Sequence, residues 1–82
     1  MEDDEFDVLD ELYFVISYSE LQDRLDLGEE RLREVLIRLY EKGWVRIYES
    51  MEVEAEEADL NNKFKFYFYL ASKKGLMAHN RQ

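Results

Sequence analysis

Apolar residues recur at three- and four-residue spacing through the first half of the chain and then switch to alternation. From about Asp4 to Ile16, Phe6, Leu9, Leu12, Tyr13 and Ile16 share one face of a helix, with Asp7, Asp10 and Glu11 on the other. Ser17 and Tyr18 break that pattern. Ser19-Glu20-Leu21-Gln22 has the form of a capping box, in which the serine oxygen accepts from a first-turn amide and Gln22 reaches back. It predicts a short second helix with Leu21 and Leu25 inward, ended at Leu27-Gly28. Glu29 to Lys42 carries the strongest stripe: Leu32, Val35, Leu36, Leu39 and Tyr40. Glu29 and Glu30 suit the positive end of its dipole and Lys42 the negative end. With Gly28 as cap, Leu27 and Leu32 form a hydrophobic staple, and Gly43 supplies the stop.

From Trp44 the period is two. Trp44, Arg46 and Tyr48 take one strand face and Val45 and Ile47 the other. Residues 49–62 are polar and acidic and read as a long hairpin loop, which Met51, Val53 and Ala55 could enter as an extension of the strand. Lys63 to Leu70 is the expected second strand. Phe64, Phe66, Phe68 and Leu70 would face inward, and Lys65, Tyr67 and Tyr69 outward. Ser72 is placed to cap a last short helix running to about His79, interrupted by Gly75.

Composition narrows what this pattern can do. The 82 residues fit a single domain, 1–82, and 46% hydrophobic content is too high for a disordered chain. Without cysteine there is neither a disulfide framework nor a thiolate metal site. No apolar run approaches the ~20 residues of a membrane span, and the acidic start reverses a signal peptide, so the expectation is a cytoplasmic protein with no membrane contact. The net charge of −9 is unevenly distributed. Residues 1–28 hold ten acids and one base, and residues 49–59 hold six acids and no base. Residues 60–82 hold five bases and no acid.

The order helix, short helix, glycine turn, long helix, Gly-Trp-Val, hairpin resembles winged helix-turn-helix proteins, in particular bacterial transcriptional regulators of the MarR and ArsR type. The resemblance rests on Tyr18-Ser19-Glu20-Leu21 through Leu25-Asp26-Leu27, on Leu32, Val35, Leu36 and Leu39, and on Arg38-Leu39-Tyr40-Glu41-Lys42-Gly43-Trp44-Val45. Ala71-Ser72-Lys73-Lys74-Gly75 is similar to the polar turn that follows the wing in many such domains. The match covers roughly residues 5–78. It implies an α+β winged helix: a three-helix helix-turn-helix core, a two-stranded antiparallel wing with a long acidic loop, and a short C-terminal helix.

The family's role would lay the 29–42 helix in a DNA major groove, with Arg31, Arg33, Glu34 and Ile37 toward the bases and the hairpin tip on phosphate. Lys63, Lys65, Lys73 and Lys74 complete the DNA-contact candidates. The charge pattern opposes that role, because phosphate affinity comes almost wholly from Lys and Arg, and the wing is about −6. Glu29, Glu30 and Glu34 also outnumber Arg31 and Arg33, and pairing among them is favoured over guanine reading. The outward aromatics Trp44, Tyr48, Tyr67 and Tyr69 would instead form a protein-contact face, unless a helix covers them. With Arg46, Lys63 and Lys65 they could also stack single-stranded nucleic acid, a reading the overall acidity weakens.

Neither a catalytic constellation nor a cofactor motif is present in the sequence. His79 has no second histidine with which to build a metal site and reads as a helix-end residue, and the acidic loop lacks the spacing of a calcium loop. The expectation is a non-enzymatic interaction module that binds a protein partner or forms a homodimer, with DNA as the alternative partner.

Overall fold

Backbone hydrogen bonding and side-chain caps together decide where the elements of this chain start and stop. The computed structural model describes residues 1–81. Among them it is an α+β fold with five helices and a three-stranded antiparallel sheet. The helices are α1 (Asp3–Asp10), α2 (Tyr18–Arg24), α3 (Glu29–Glu41), α4 (Leu60–Lys63) and α5 (Lys73–Asn80). The strands are β1 (Ile16–Ser17), β2 (Val45–Tyr48) and β3 (Phe68–Ala71), in the order β1-β3-β2.

Helix α1 stops six residues before the expected Ile16. The Glu11 and Leu12 amides donate to the Val8 and Leu9 carbonyls, closing the last turn. Beyond it the Tyr13-Phe14-Val15-Ile16 run is aromatic and β-branched, which favours extended backbone. Ile16 pairs with Tyr69 in β1, so the expected two-stranded sheet has a third strand. Leu12 and Ile16 are still both buried, since turn and strand deliver them to the same core. The cap of α2 also moves, from Ser19 to Ser17, whose oxygen accepts from the Glu20 amide at 3.2 Å.

Helix α3 forms with Gly28 as its cap and with Leu32, Val35, Leu36 and Leu39 of the expected stripe fully buried, whereas Tyr40, the last member of that stripe, is exposed. Gly43 follows at φ +75°, a conformation that glycine adopts without steric cost. In β2, Val45 and Ile47 point inward as expected.

The expected Lys63–Leu70 strand is the largest correction. Asp59 caps the single turn α4, a 3-10 turn follows over Phe64–Phe66, and β3 begins only at Phe68. The inward set is therefore Tyr67, Tyr69 and Ala71, while Phe68 and Leu70 are half-buried and Phe66 is 76% exposed. A one-residue change of parity exchanges the two faces of a strand. The register fixes the outcome, because Tyr69 lies opposite both Ile16 and Ile47. Its hydroxyl donates to the Phe64 carbonyl at 2.6 Å and so ties the strand to the 3-10 turn. Tyr69→Phe leaves that carbonyl without its donor inside the core. The variant should lose about 1–2 kcal/mol in urea unfolding with an unchanged slope.

The 49–59 loop folds back along the outer edge of β2. Glu54 bridges to Tyr48, the Ala55 amide donates to the Ile47 carbonyl at 2.9 Å, and Arg46 grips Glu54 with two hydrogen bonds of 2.7 and 3.1 Å. The edge that an open hairpin would expose to another strand is thus covered.

Candidate functional site

The C-terminal helix meets the exit of α3 through backbone groups and the Ser72 hydroxyl. Ser72 caps α5 by accepting from the Gly75 amide at 3.0 Å, and its hydroxyl donates to the Gly43 carbonyl at 2.6 Å. The Ser72 amide donates to the Trp44 carbonyl at 2.9 Å. Gly75 lies directly on that same carbonyl, so close that a β-carbon there would sit 2.1 Å from the oxygen. At the far end of α5, His79 stacks on Phe6 at 4.2 Å, and its Nδ1 lies 2.8 Å from the Tyr13 hydroxyl. His79 is therefore a buried docking residue between α5 and α1, not a simple helix-end charge.

This seating leaves an open groove of about 550 Å³ between Trp44 and α5, lined by Trp44, Lys73, Lys74, Met77, Ala78 and Arg81. Its floor is apolar and its rim basic. Lys73, Lys74 and Arg81 form no ion pair with any acid of the described residues. One face of the indole is already occupied: the Lys42 ammonium lies 4.6 Å from its ring centre. Lys42 is held there by Glu5, which accepts from it at 2.6 Å.

Glu5 is almost wholly buried, with Arg38 as a second cation 3.7 Å away. Burial pushes its carboxyl up. The hydrogen bonds from Lys42 and the Glu2 amide, with the charges of Lys42 and Arg38, outweigh that and hold it below its ordinary value. The groove is thus braced from behind by an ion pair joining α1 to the end of α3.

The other candidate residues fall elsewhere. Arg31 binds Asp4 at 2.6 Å and Glu34 at 3.5 Å, and Arg33 binds Glu30 at 2.9 Å and Asn61 at 3.3 Å. Their hydrogen bonds to Asp4 and Glu30 raise both guanidinium groups above their usual range, so they are firmly charged but committed within the chain. Lys65 pairs with Glu29 at 2.7 Å, and Lys63 is exposed on α4. Of the four aromatics expected on one outer face, Tyr67 and Tyr69 are buried and supply no contact surface. Tyr48 is half-buried beneath Arg46, and Trp44 alone reaches the groove.

The structure therefore unites Trp44, Lys73 and Lys74 from two different candidate sets and adds Met77, Ala78 and Arg81. The sequence signals for that union were a glycine inside a short helix and a run of bases without acids. Among the described residues no group of three or more His, Asp or Glu side chains converges as a metal site, and no helix is long and apolar enough to cross a membrane. Compared with family models, curated proteins and solved structures, the chain matches none.

Proposed function

We propose that this chain is a winged-helix interaction module that docks a protein partner in the Trp44 groove and does not read DNA through α3. The element order helix, strand, helix, helix, strand, loop, strand supports the winged-helix reading, with α2 and α3 as the helix-turn-helix pair and residues 49–59 in the wing. The observation that carries the functional reading is the division of the basic groups. Arg31 and Arg33 of α3 are spent on Asp4, Glu30 and Glu34, and Arg38 on Glu2 and Glu5, whereas Lys73, Lys74 and Arg81 surround an apolar groove. A partner side chain entering the groove meets an amphipathic aromatic and a flexible thioether, both favoured at protein interfaces. The wing carries the wrong sign for phosphate, and duplex binding would first have to break the α3 ion pairs.

Titration of labelled mixed-sequence duplex tests this reading. The expected result is no retention at ~100 mM salt, since few phosphate-neutralising groups converge. Sub-micromolar binding (~1 µM or tighter), with a steep salt slope that Arg33→Ala makes shallower, would instead establish a DNA-binding regulator.

A further inference from the structure

The wing loop presents a feature that complements the groove. Its tip is a tight turn: the Glu49 amide donates to the Val53 carbonyl at 2.7 Å, and the Val53 amide donates to the Ser50 hydroxyl at 3.3 Å. Arg46 anchors its return side through Glu54. This turn holds Met51 62% exposed and Val53 53% exposed among Glu49, Glu52 and Glu54. An apolar side chain flanked by carboxylates is thus held out on a pre-ordered support, which lowers the entropy lost on docking.

Building on the docking role assigned to the groove, we propose that its occupant is this acidic turn from a second copy of the chain. Met51 would rest on Trp44 and Met77, and the flanking carboxylates would face Lys73, Lys74 and Arg81. Three observations carry the proposal. The groove has an apolar floor and a basic rim, and the turn has an apolar tip and an acidic rim. The only base paired with an acid of the 49–59 segment is Arg46, among the described residues, so Glu52, Glu56 and Glu57 remain available. Finally, groove and turn lie at opposite ends of the β2–β3 pair, the Val45–Ala71 end and the Tyr48–Phe68 end. Three residues of strand separate them by roughly 10 Å, so the turn of one copy reaches only another copy's groove.

A reciprocal arrangement, in which each copy gives its turn and receives the other's, closes as a two-fold dimer and leaves no open end. A single-stranded nucleic acid fits less well, because Lys42 already occupies one face of the indole and the chain as a whole repels phosphate.

Sedimentation equilibrium of the whole chain at low salt, followed in parallel by emission of its single tryptophan, tests the proposal. Three samples decide it: the unaltered chain, Lys73→Glu/Lys74→Glu, and Glu52→Lys/Glu56→Lys. Glutamates in the first turn of α5 suit its dipole, and Glu52 and Glu56 are exposed, so both variants should fold. The unaltered chain should move from 10.0 kDa toward twice that mass over roughly 10–500 µM, with a change in Trp44 emission. Each variant should associate at least about tenfold more weakly, and an equimolar mixture of the two should recover association, because both swapped contacts are again complementary.

A monomer at every concentration overturns the proposal, as does association that the charge reversals leave unchanged. Stronger association of Glu52→Lys/Glu56→Lys, whose net charge is smaller, would point to general repulsion as the control and also overturn it. Quenching of Trp44 by oligothymidylate at equal concentration, with a steep salt slope, would assign the groove to nucleic acid. Failure of self-association with retained binding of a Tyr48–Ala55 peptide refutes only the second copy. Failure of both refutes the docking reading itself.

Discussion

Gly75→Ala should unseat the C-terminal helix and lower stability by about 2–3 kcal/mol, near the upper end of what overpacking usually costs. The added methyl would meet the Trp44 carbonyl oxygen at 2.1 Å and its carbon at 2.9 Å. Neither obstacle is a flexible side chain. The carbonyl is fixed by the Ser72 amide, and Ser72 is fixed by Gly43 and Gly75. Relief therefore requires α5 to move as a unit, which opens the groove and pulls His79 from Phe6 and Tyr13. In a domain of this size the midpoint of thermal unfolding should fall by about 10–20 °C. Gly28→Ala is the control. Its methyl meets nothing within 4 Å, and the lost cap preference is offset by reduced freedom of the unfolded chain, so the change stays within about 0.5 kcal/mol. A midpoint for Gly75→Ala equal to that control would mean that α5 is not packed as described.

Glu5→Gln should cost about 1–2 kcal/mol near neutral pH and should flatten the acid limb of the stability curve. Removing one member of a buried ion pair typically costs about 3–5 kcal/mol, because the abandoned charge stays buried. Here Lys42 is 41% exposed and can return to water, and Arg38 keeps Glu2 at 3.0 Å as a partner, so the penalty is smaller. The Glu5 carboxyl is held below its ordinary value of 4.5 in the folded chain. Its contribution is therefore fully present above that value and is lost as pH falls through it toward the lower folded value. Urea midpoints measured across the acid range should converge for the two proteins at the acid end. A constant gap at every pH would show that Glu5 acts by packing and not by charge.

Elements whose two faces differ in polarity were readable from the sequence alone. The α3 stripe sets Leu32, Val35, Leu36 and Leu39 against Glu30, Arg31 and Glu34, so only one rotation of the helix buries it. The strand after it behaves likewise, with Val45 and Ile47 set against Arg46. By contrast Phe64 to Tyr69 is aromatic at both parities apart from Lys65, so side-chain type could not choose a face. The choice came from residues outside the segment: Asp59, just before it, starting a helical turn, and the distant Ile16 and Ile47 flanking Tyr69. The end of α1 escaped for a related reason, since Leu12 and Ile16 are buried whether they follow a helix or a strand.

The candidate site was legible only in pieces. Trp44 and the two lysines each stood out, but as members of different surfaces. What joins them is the absence of a side chain at Gly75, which lets one backbone lie on another across some thirty residues. A pattern of side-chain types does not record such a contact, although an isolated glycine in a short helix hints at it. The pairing of Arg31 with Glu34 and of Arg33 with Glu30 was easier, because residues three or four apart on a helix are neighbours, whereas the shorter Arg31–Asp4 bond joins α3 to α1 and left no such local signal.

The most direct test of the working surface is an amide chemical-shift map of the isotope-labelled chain, recorded with the Tyr48–Ala55 peptide and separately with mixed-sequence duplex. The peptide should shift the Trp44 indole and the amides of Lys73, Lys74 and Ala78, leaving those of Arg31, Arg33 and Glu34 in place. The duplex should shift neither set at ~100 mM salt. Shifts gathered on Arg31, Arg33 and Glu34 with duplex, and none in the groove with peptide, would contradict the assignment of the Trp44 groove as the binding surface.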